Sequence, residues 1–203
     1  MITTELCKIM TEEGSDKSGN WHNYTIEYYS LFNNKKDKIT EVFELGLGTN
    51  YTDVKSSMGP NGIPGASLRG WKRFFNNANI YGADIDKRIL FTEDRIKTYY
   101  VDQTDISSIS QMWQIEELKN NFDVMLDDGL HDLDANMIFF ENSFHKLKET
   151  GIYIIEDVGL HRIEDYKSKL SKLQNLFKFN YEIKNLNHHI NKIDNCLIFI
   201  TKE

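Results

Sequence analysis

Proline and cysteine are both scarce. The two prolines, Pro60 and Pro64, fall in a single stretch, SMGPNGIPGAS, so the rest of the chain can run through helices and strands without a breaker. The two cysteines, Cys7 and Cys196, lie near opposite ends. Such a pair excludes a disulfide framework and a cysteine zinc site, and they read as free thiols of a reducing compartment. No run approaches the roughly 20 apolar residues that cross a bilayer. The opening MITTELCKIM lacks the apolar core of a signal peptide, so the expected location is cytoplasmic with no membrane span. Positive charge is in deficit: 24 Lys and Arg stand against 31 Asp and Glu, for a formal charge of −7. That argues against a general nucleic-acid binder, which needs a basic face. No repeat or low-complexity tract is present.

What is present is an ordinary globular composition, 40% hydrophobic and 27% charged, over 203 residues. The abundance of Asn, Lys and Ile hints at an AT-rich bacterial genome. One domain is expected over residues 36–203, preceded by a helical cap segment over 1–35. Apolar strand-like runs at 39–45, 79–85, 95–102, 122–126 and 152–156 alternate with helical spacing at 68–78, 105–119, 132–149 and 163–177. Gly151 is read as the stop of the helix before it. Two more runs, at 181–186 and 195–201, have no helix between them. Alternation of this kind predicts an α/β, Rossmann-like, mostly parallel seven-stranded sheet with helices on both faces and an antiparallel last strand. Ligands of such sheets bind at the carboxyl ends of the strands.

Those ends are unusually acidic: Glu44 to Gly46, Asp84, Asp102, Asp127 with Asp128, and Glu156 with Asp157. Helix capping explains one or two such acids and explains five poorly. In ELGLGTN (44–50), Gly46 and Gly48 would let backbone approach a ligand, although Tyr51 stands where a dinucleotide fingerprint wants its third glycine. Asp84 is placed to accept from ribose hydroxyls, and Asp102 with Gln103 to reach an adenine amine. In DDGLHD (127–132), Asp128 precedes His131 by three residues. Across adjacent strands, Asp128, Glu156 and Asp157 would repel one another unless a divalent cation lay between them. Their oxygens suit Mg²⁺ first, with Mn²⁺ or Ca²⁺ as alternatives.

This set resembles the class I S-adenosylmethionine-dependent methyltransferases. Within them it is similar to the metal-dependent sugar O-methyltransferases of the macrocin and mycinamicin type and to bacterial capsule-biosynthesis methyltransferases. The resemblance rests on E-x-G-x-G at 44–48, D-D-G-x-H at 127–131 and E-D at 156–157. It implies S-adenosylmethionine as cofactor, contacted by Glu44, Gly46, Gly48, Asn50, Ser67, Arg69, Asp84, Asp102, Gln103 and Asp127. It also implies a metal on Asp128, Glu156 and Asp157, and catalysis by His131 as general base with Asp128. Lys17, Tyr24 and His161 are the residues expected at the acceptor, with Lys17 and Tyr24 open to a cofactor contact instead. The implied partner is a small-molecule acceptor: a sugar hydroxyl on a glycosylated metabolite, a nucleotide sugar or a surface polysaccharide. A phosphoramidate oxygen is the alternative, for which Arg69, Arg162 and Lys17 would supply positive charge. A homo-oligomer and a non-catalytic binding module of the same fold stay open.

Overall fold

The computed structural model describes residues 3–19 and 21–203; Met1, Ile2 and Asn20, which fall in the opening run and the cap segment discussed above, lie outside them. Eight strands form one sheet: β1 (Glu41–Leu45), β2 (Asn79–Asp84), β3 (Thr92–Glu93), β4 (Ile96–Tyr100), β5 (Phe122–Asp127), β6 (Leu147–Ile155), β7 (Phe179–Asn185) and β8 (Cys196–Lys202). Their spatial order is β3-β4-β2-β1-β5-β6-β8-β7. β4, β2, β1, β5 and β6 are mutually parallel, and β8 runs antiparallel between β6 and β7. The expected seven strands are therefore present, and the eighth, β3, is a two-residue antiparallel addition to β4 at the edge.

The strands are apolar on both sides because both faces are covered. One face packs Phe43, Phe122, Met125 and Tyr153 under α4 (Ile106–Met112), α5 (Leu133–Ser143), which turns Phe139 and Phe140 inward, and α6 (Ile163–Phe177). The other packs Val42, Ile80, Val124 and Ile154 under α1 (Glu5–Glu13), α2 (Tyr24–Phe32) and α3 (Ala66–Phe74). On this second face Tyr28, Phe32, Trp71, Phe74 and Phe75 interlock as edge-on and stacked rings with centroids 5.0–6.2 Å apart. The segment expected as a cap over 1–35 thus contributes two helices to the core itself.

Three boundaries differ from expectation. The helix read over 68–78 starts two residues earlier and ends at Phe74. The helix expected over 105–119 stops at Met112, with a separate turn at Glu116–Leu118. The one expected over 132–149 stops at Ser143, after which the chain passes into β6 at Leu147. Gly151 therefore lies inside a strand and stops no helix. It sits where pairing with β5 shifts register between Phe122 and Val124, and a side chain there would press on the Phe122 carbonyl and on Leu147.

Candidate functional site

The parallel strands all end on one side, and there a cavity of about 380 Å³ opens. Its walls come from Gly46, Gly48 and Thr49 after β1, Asp84 and Ile85 at β2, Asp102 and Gln103 after β4, Asp128 to His131 after β5, and Asp157 after β6. Residues 54–67 and Ser15 to Lys17 close it from above, so the Gly- and Pro-rich loop and part of the segment between α1 and α2 are walls of the same chamber.

Two glycines make the floor possible. Gly46 has φ 89°, and a Cβ there would coincide with the carbonyl of Asp128. Gly48 has φ 71°, and a Cβ would collide with the Met58 sulfur. Both are left-handed backbones that side chains resist, in places where there is no room for one. Asp84 is buried. Its oxygens accept from Leu47 N and Asp86 N at 2.8 Å each, which stitches the end of β2 to the β1 loop. Burial pushes its carboxyl above the ordinary range. Ser67 faces the cavity, but its hydroxyl donates to Glu44.

Glu44 itself does not line the cavity. It lies fully buried behind it, accepting from Ser67 Oγ at 2.6 Å and Trp71 Nε1 at 2.5 Å, with Lys17 Nζ at 3.4 Å. Asp127 is also fully buried: Gln103 Nε2 donates to its two oxygens at 2.8 and 3.0 Å, while Gln103 Oε1 accepts from Leu130 N at 2.8 Å. Gln103 therefore lines the cavity while tying the end of β4 to the 128–131 loop. Asp102 lines it too and accepts from Thr104 N and Oγ1. Asn50 and His161 do not line it. Arg69 turns away altogether, forked onto Glu93 and stacked on Phe91.

Lys17 is 1% exposed, and its ammonium donates to Asp128 Oδ2 at 2.5 Å and Glu156 Oε2 at 2.6 Å. Tyr28 donates to the other Glu156 oxygen at 2.6 Å, and Tyr24 to Asp157 Oδ1 at 2.7 Å. Two tyrosines one helical turn apart on α2 thus serve the two consecutive acids at the end of β6. The role of Tyr28 was not read from the sequence; the matching of an i, i+4 tyrosine pair to an acid pair was the available signal. His22, stacked on Tyr24, brings Nε2 to 3.4 Å from Asp157 Oδ1 and was likewise unread.

His131 bridges the remaining oxygens. Nε2 is 3.2 Å from Asp128 Oδ1, and Nδ1 is 3.5 Å from Asp157 Oδ2. Both His131 (φ 57°) and Asp157 (φ 53°) hold left-handed backbones, an uncommon and strained state for residues with side chains. Burial alone would lower the imidazole, but the bond to Asp128 and the charges of Asp157, Asp128 and Asp127 outweigh it and raise it to about 10. Asp128 is partly covered, and Lys17 and His131 hold it below the usual carboxylate range. Lys17 stays a cation because Asp128, Glu156 and Glu44 outweigh its burial. Acid still exceeds base here: burial and the neighbouring carboxylates push Asp157 up.

One donor atom from each of Asp128, His131 and Asp157 lies within 4.8 Å of the others, a separation that a divalent ion can bridge. This trio fits a metal. Glu156, expected as the third ligand, has both oxygens engaged by Lys17 and Tyr28.

No protein-family model matches the chain. Among curated proteins it is 32% identical over 154 residues to the 8-demethyl-8-alpha-L-rhamnosyl tetracenomycin-C 2'-O-methyltransferase of Streptomyces olivaceus, covering 75% of this chain and 37% of that protein. It is 31% identical over 142 residues to the demethylmacrocin O-methyltransferase of Streptomyces fradiae, covering 70% and 33%. It is 30% identical over 155 residues to the mycinamicin VI 2''-O-methyltransferase of Micromonospora griseorubida, covering 76% and 36%. The chain thus spans about a third of the length of the curated relatives it matches. Among solved structures, the MycE methyltransferase of the mycinamycin biosynthetic pathway, in complex with Mg and SAH, superposes over 99% of this chain and 55% of that one, with a TM-score of 0.71 at 22% identity. A caffeoyl-CoA O-methyltransferase-like protein from Staphylococcus aureus covers 98% of this chain and 93% of that one at 9% identity, with a TM-score of 0.60. The fold is that of the class I methyltransferases.

Proposed function

We propose that this chain is an S-adenosylmethionine- and divalent-metal-dependent O-methyltransferase whose acceptor is a hydroxyl of a sugar. The observation that carries the reading is the continuity of the cavity: the glycine-floored, Asp84-walled end opens into the chamber that Asp128, His131 and Asp157 close. The names of the relatives support it: one is a rhamnosyl tetracenomycin-C 2'-O-methyltransferase and another an L-olivosyl-oleandolide 3-O-methyltransferase. The acceptor's scaffold, antibiotic or cell-surface polysaccharide, is left open by this reading.

Bound S-adenosylmethionine would supply an electrophilic methyl, and a divalent ion would stabilise the developing alkoxide of the acceptor. Gly46 and Gly48 give the cofactor a backbone floor. Asp84 offers carboxylate oxygens beside it, and Asp102 and Gln103 flank the far end. Asp128 and Asp157 would hold the ion. His131 would take the acceptor's proton, at Nδ1 or Nε2. Asp128 and Asp157 favour the protonated imidazole, and a divalent ion held by those acids would compete with it and favour the neutral, basic form. The walls from Met58, Ile63 and Ser15 to Lys17 would help hold the reactants in line.

The phosphoramidate alternative needs free cations. Of the cations expected to supply them, Lys17 is held by carboxylates, Arg69 by Glu93 and Arg162 by Asp165, which leaves Lys55 on the cavity wall as the cation such an acceptor would use. Incubation with methyl-labelled S-adenosylmethionine, Mg²⁺ and a panel of glycosylated acceptors tests the reading. Label should appear on a sugar oxygen; label on phosphoryl oxygens alone would overturn the acceptor class.

A further inference from the structure

We propose that Lys17 is a resident counter-cation of the acid cluster: it neutralises Asp128 and Glu156 in the absence of metal and thereby sets how tightly the cluster takes up a divalent ion. The inference rests on the reading of Asp128 and Asp157 as an ion site. Lys17 is among the most deeply buried large side chains of the protein, and it comes from outside the sheet, on the loop between α1 and α2. Its position is fixed by its own backbone, which accepts from Thr25 N at 3.3 Å and donates to Ser15 Oγ at 3.3 Å. The ammonium meets carboxylates from the ends of three neighbouring strands: Glu44 of β1, Asp128 after β5 and Glu156 after β6.

Two consequences follow from this placement. Without the ammonium, the buried Glu44 and Glu156 would face Asp128 with only His131, on the other Asp128 oxygen, left as a cation, and removing one partner of a buried ion pair is far costlier than removing both. Asp128 is also divided between two cations. Oδ2 belongs to Lys17, and Oδ1 faces His131 and Asp157, where a divalent ion would sit. An ion there would share a carboxylate with a fixed positive charge, which weakens its binding, and Glu156 is kept from it by the same lysine.

The test compares wild type, Lys17→Met and the charge-balanced double variant Lys17→Met with Glu156→Gln, by thermal unfolding in chelator and in Mn²⁺ or Mg²⁺, and by calorimetric titration with Mn²⁺. Lys17→Met should unfold roughly 10 °C below wild type in chelator, recover most of that with ion, and bind Mn²⁺ at least ten-fold more tightly. The double variant should unfold near wild type in chelator and bind Mn²⁺ less tightly than Lys17→Met. If Lys17→Met does not fold at all, the double variant decides: folding in chelator supports a counter-charge role, and failure to fold overturns it in favour of plain packing. Lys17→Met as stable as wild type in chelator, or binding Mn²⁺ no more tightly while wild type binds it, overturns this inference alone. Absence of ion binding by every variant overturns the ion site with it.

Discussion

Replacing Asp127 by asparagine should remove a defined piece of the protein's pH dependence. Asp127 is fully buried at the end of β5, and burial, only partly offset by hydrogen bonds from Gly129 and Gln103 and the charge of His131, raises its carboxyl from 3.8 to about 6. A group whose pKa is raised on folding favours the native state while both states are protonated, below about 4. That advantage is lost as pH rises through the folded value. The gap of about 2 between 3.8 and 6 corresponds to about 3 kcal/mol, lost between roughly pH 4 and pH 6 and absent at neutral pH. Asparagine keeps an oxygen for Gln103 and has no charge to bury. Urea unfolding of both proteins from pH 4 to pH 8 isolates the effect, because every other titrating group is common to the pair. The stability difference, wild type minus variant, should become less favourable to wild type by about 3 kcal/mol across the window and then level off. A difference that stays constant within about 0.5 kcal/mol would refute the reasoning and mean that Gln103 satisfies the ionised carboxylate in full.

Other expectations follow from the same geometry. Gly46→Ala should destabilise by roughly 2–4 kcal/mol and abolish cofactor binding, since a Cβ at φ 89° occupies the space of the Asp128 carbonyl; unfolding and calorimetry on one sample check both. His131→Ala should lower turnover by roughly 10²–10⁴ while leaving S-adenosylhomocysteine affinity within a few-fold; near wild-type turnover would place the base elsewhere. Chelation should stop turnover at neutral pH, and Mg²⁺ or Mn²⁺ should restore it, because His131 without a competing cation stays protonated up to about 10.

Much of this was legible in the chain. Period and alternation located every long strand, and the acids at strand ends lie on the side of the sheet where the cavity opens. Gly46 and Gly48 stood out in the chain, and both hold left-handed angles. What escaped was long-range. Nothing local to Lys17 shows that its ammonium reaches Asp128 and Glu156, 111 and 139 residues away, and nothing local to Gln103 shows that its amide is spent on Asp127. Arg69 looked available because its partner Glu93 lies on β3, a strand too short to leave a periodic signal. Gly151 was read by a local rule for helix ends, whereas a register shift between two strands explains it.

The most direct test of the account is calorimetric titration of the protein with S-adenosylhomocysteine, with and without Mg²⁺. The account predicts one site per chain at micromolar affinity, lost in an Asp84→Ala variant whose fold is intact. No binding in either condition would contradict it: the strand-end acids would then be ordinary caps, and the chain a binding module that shares the fold without the chemistry.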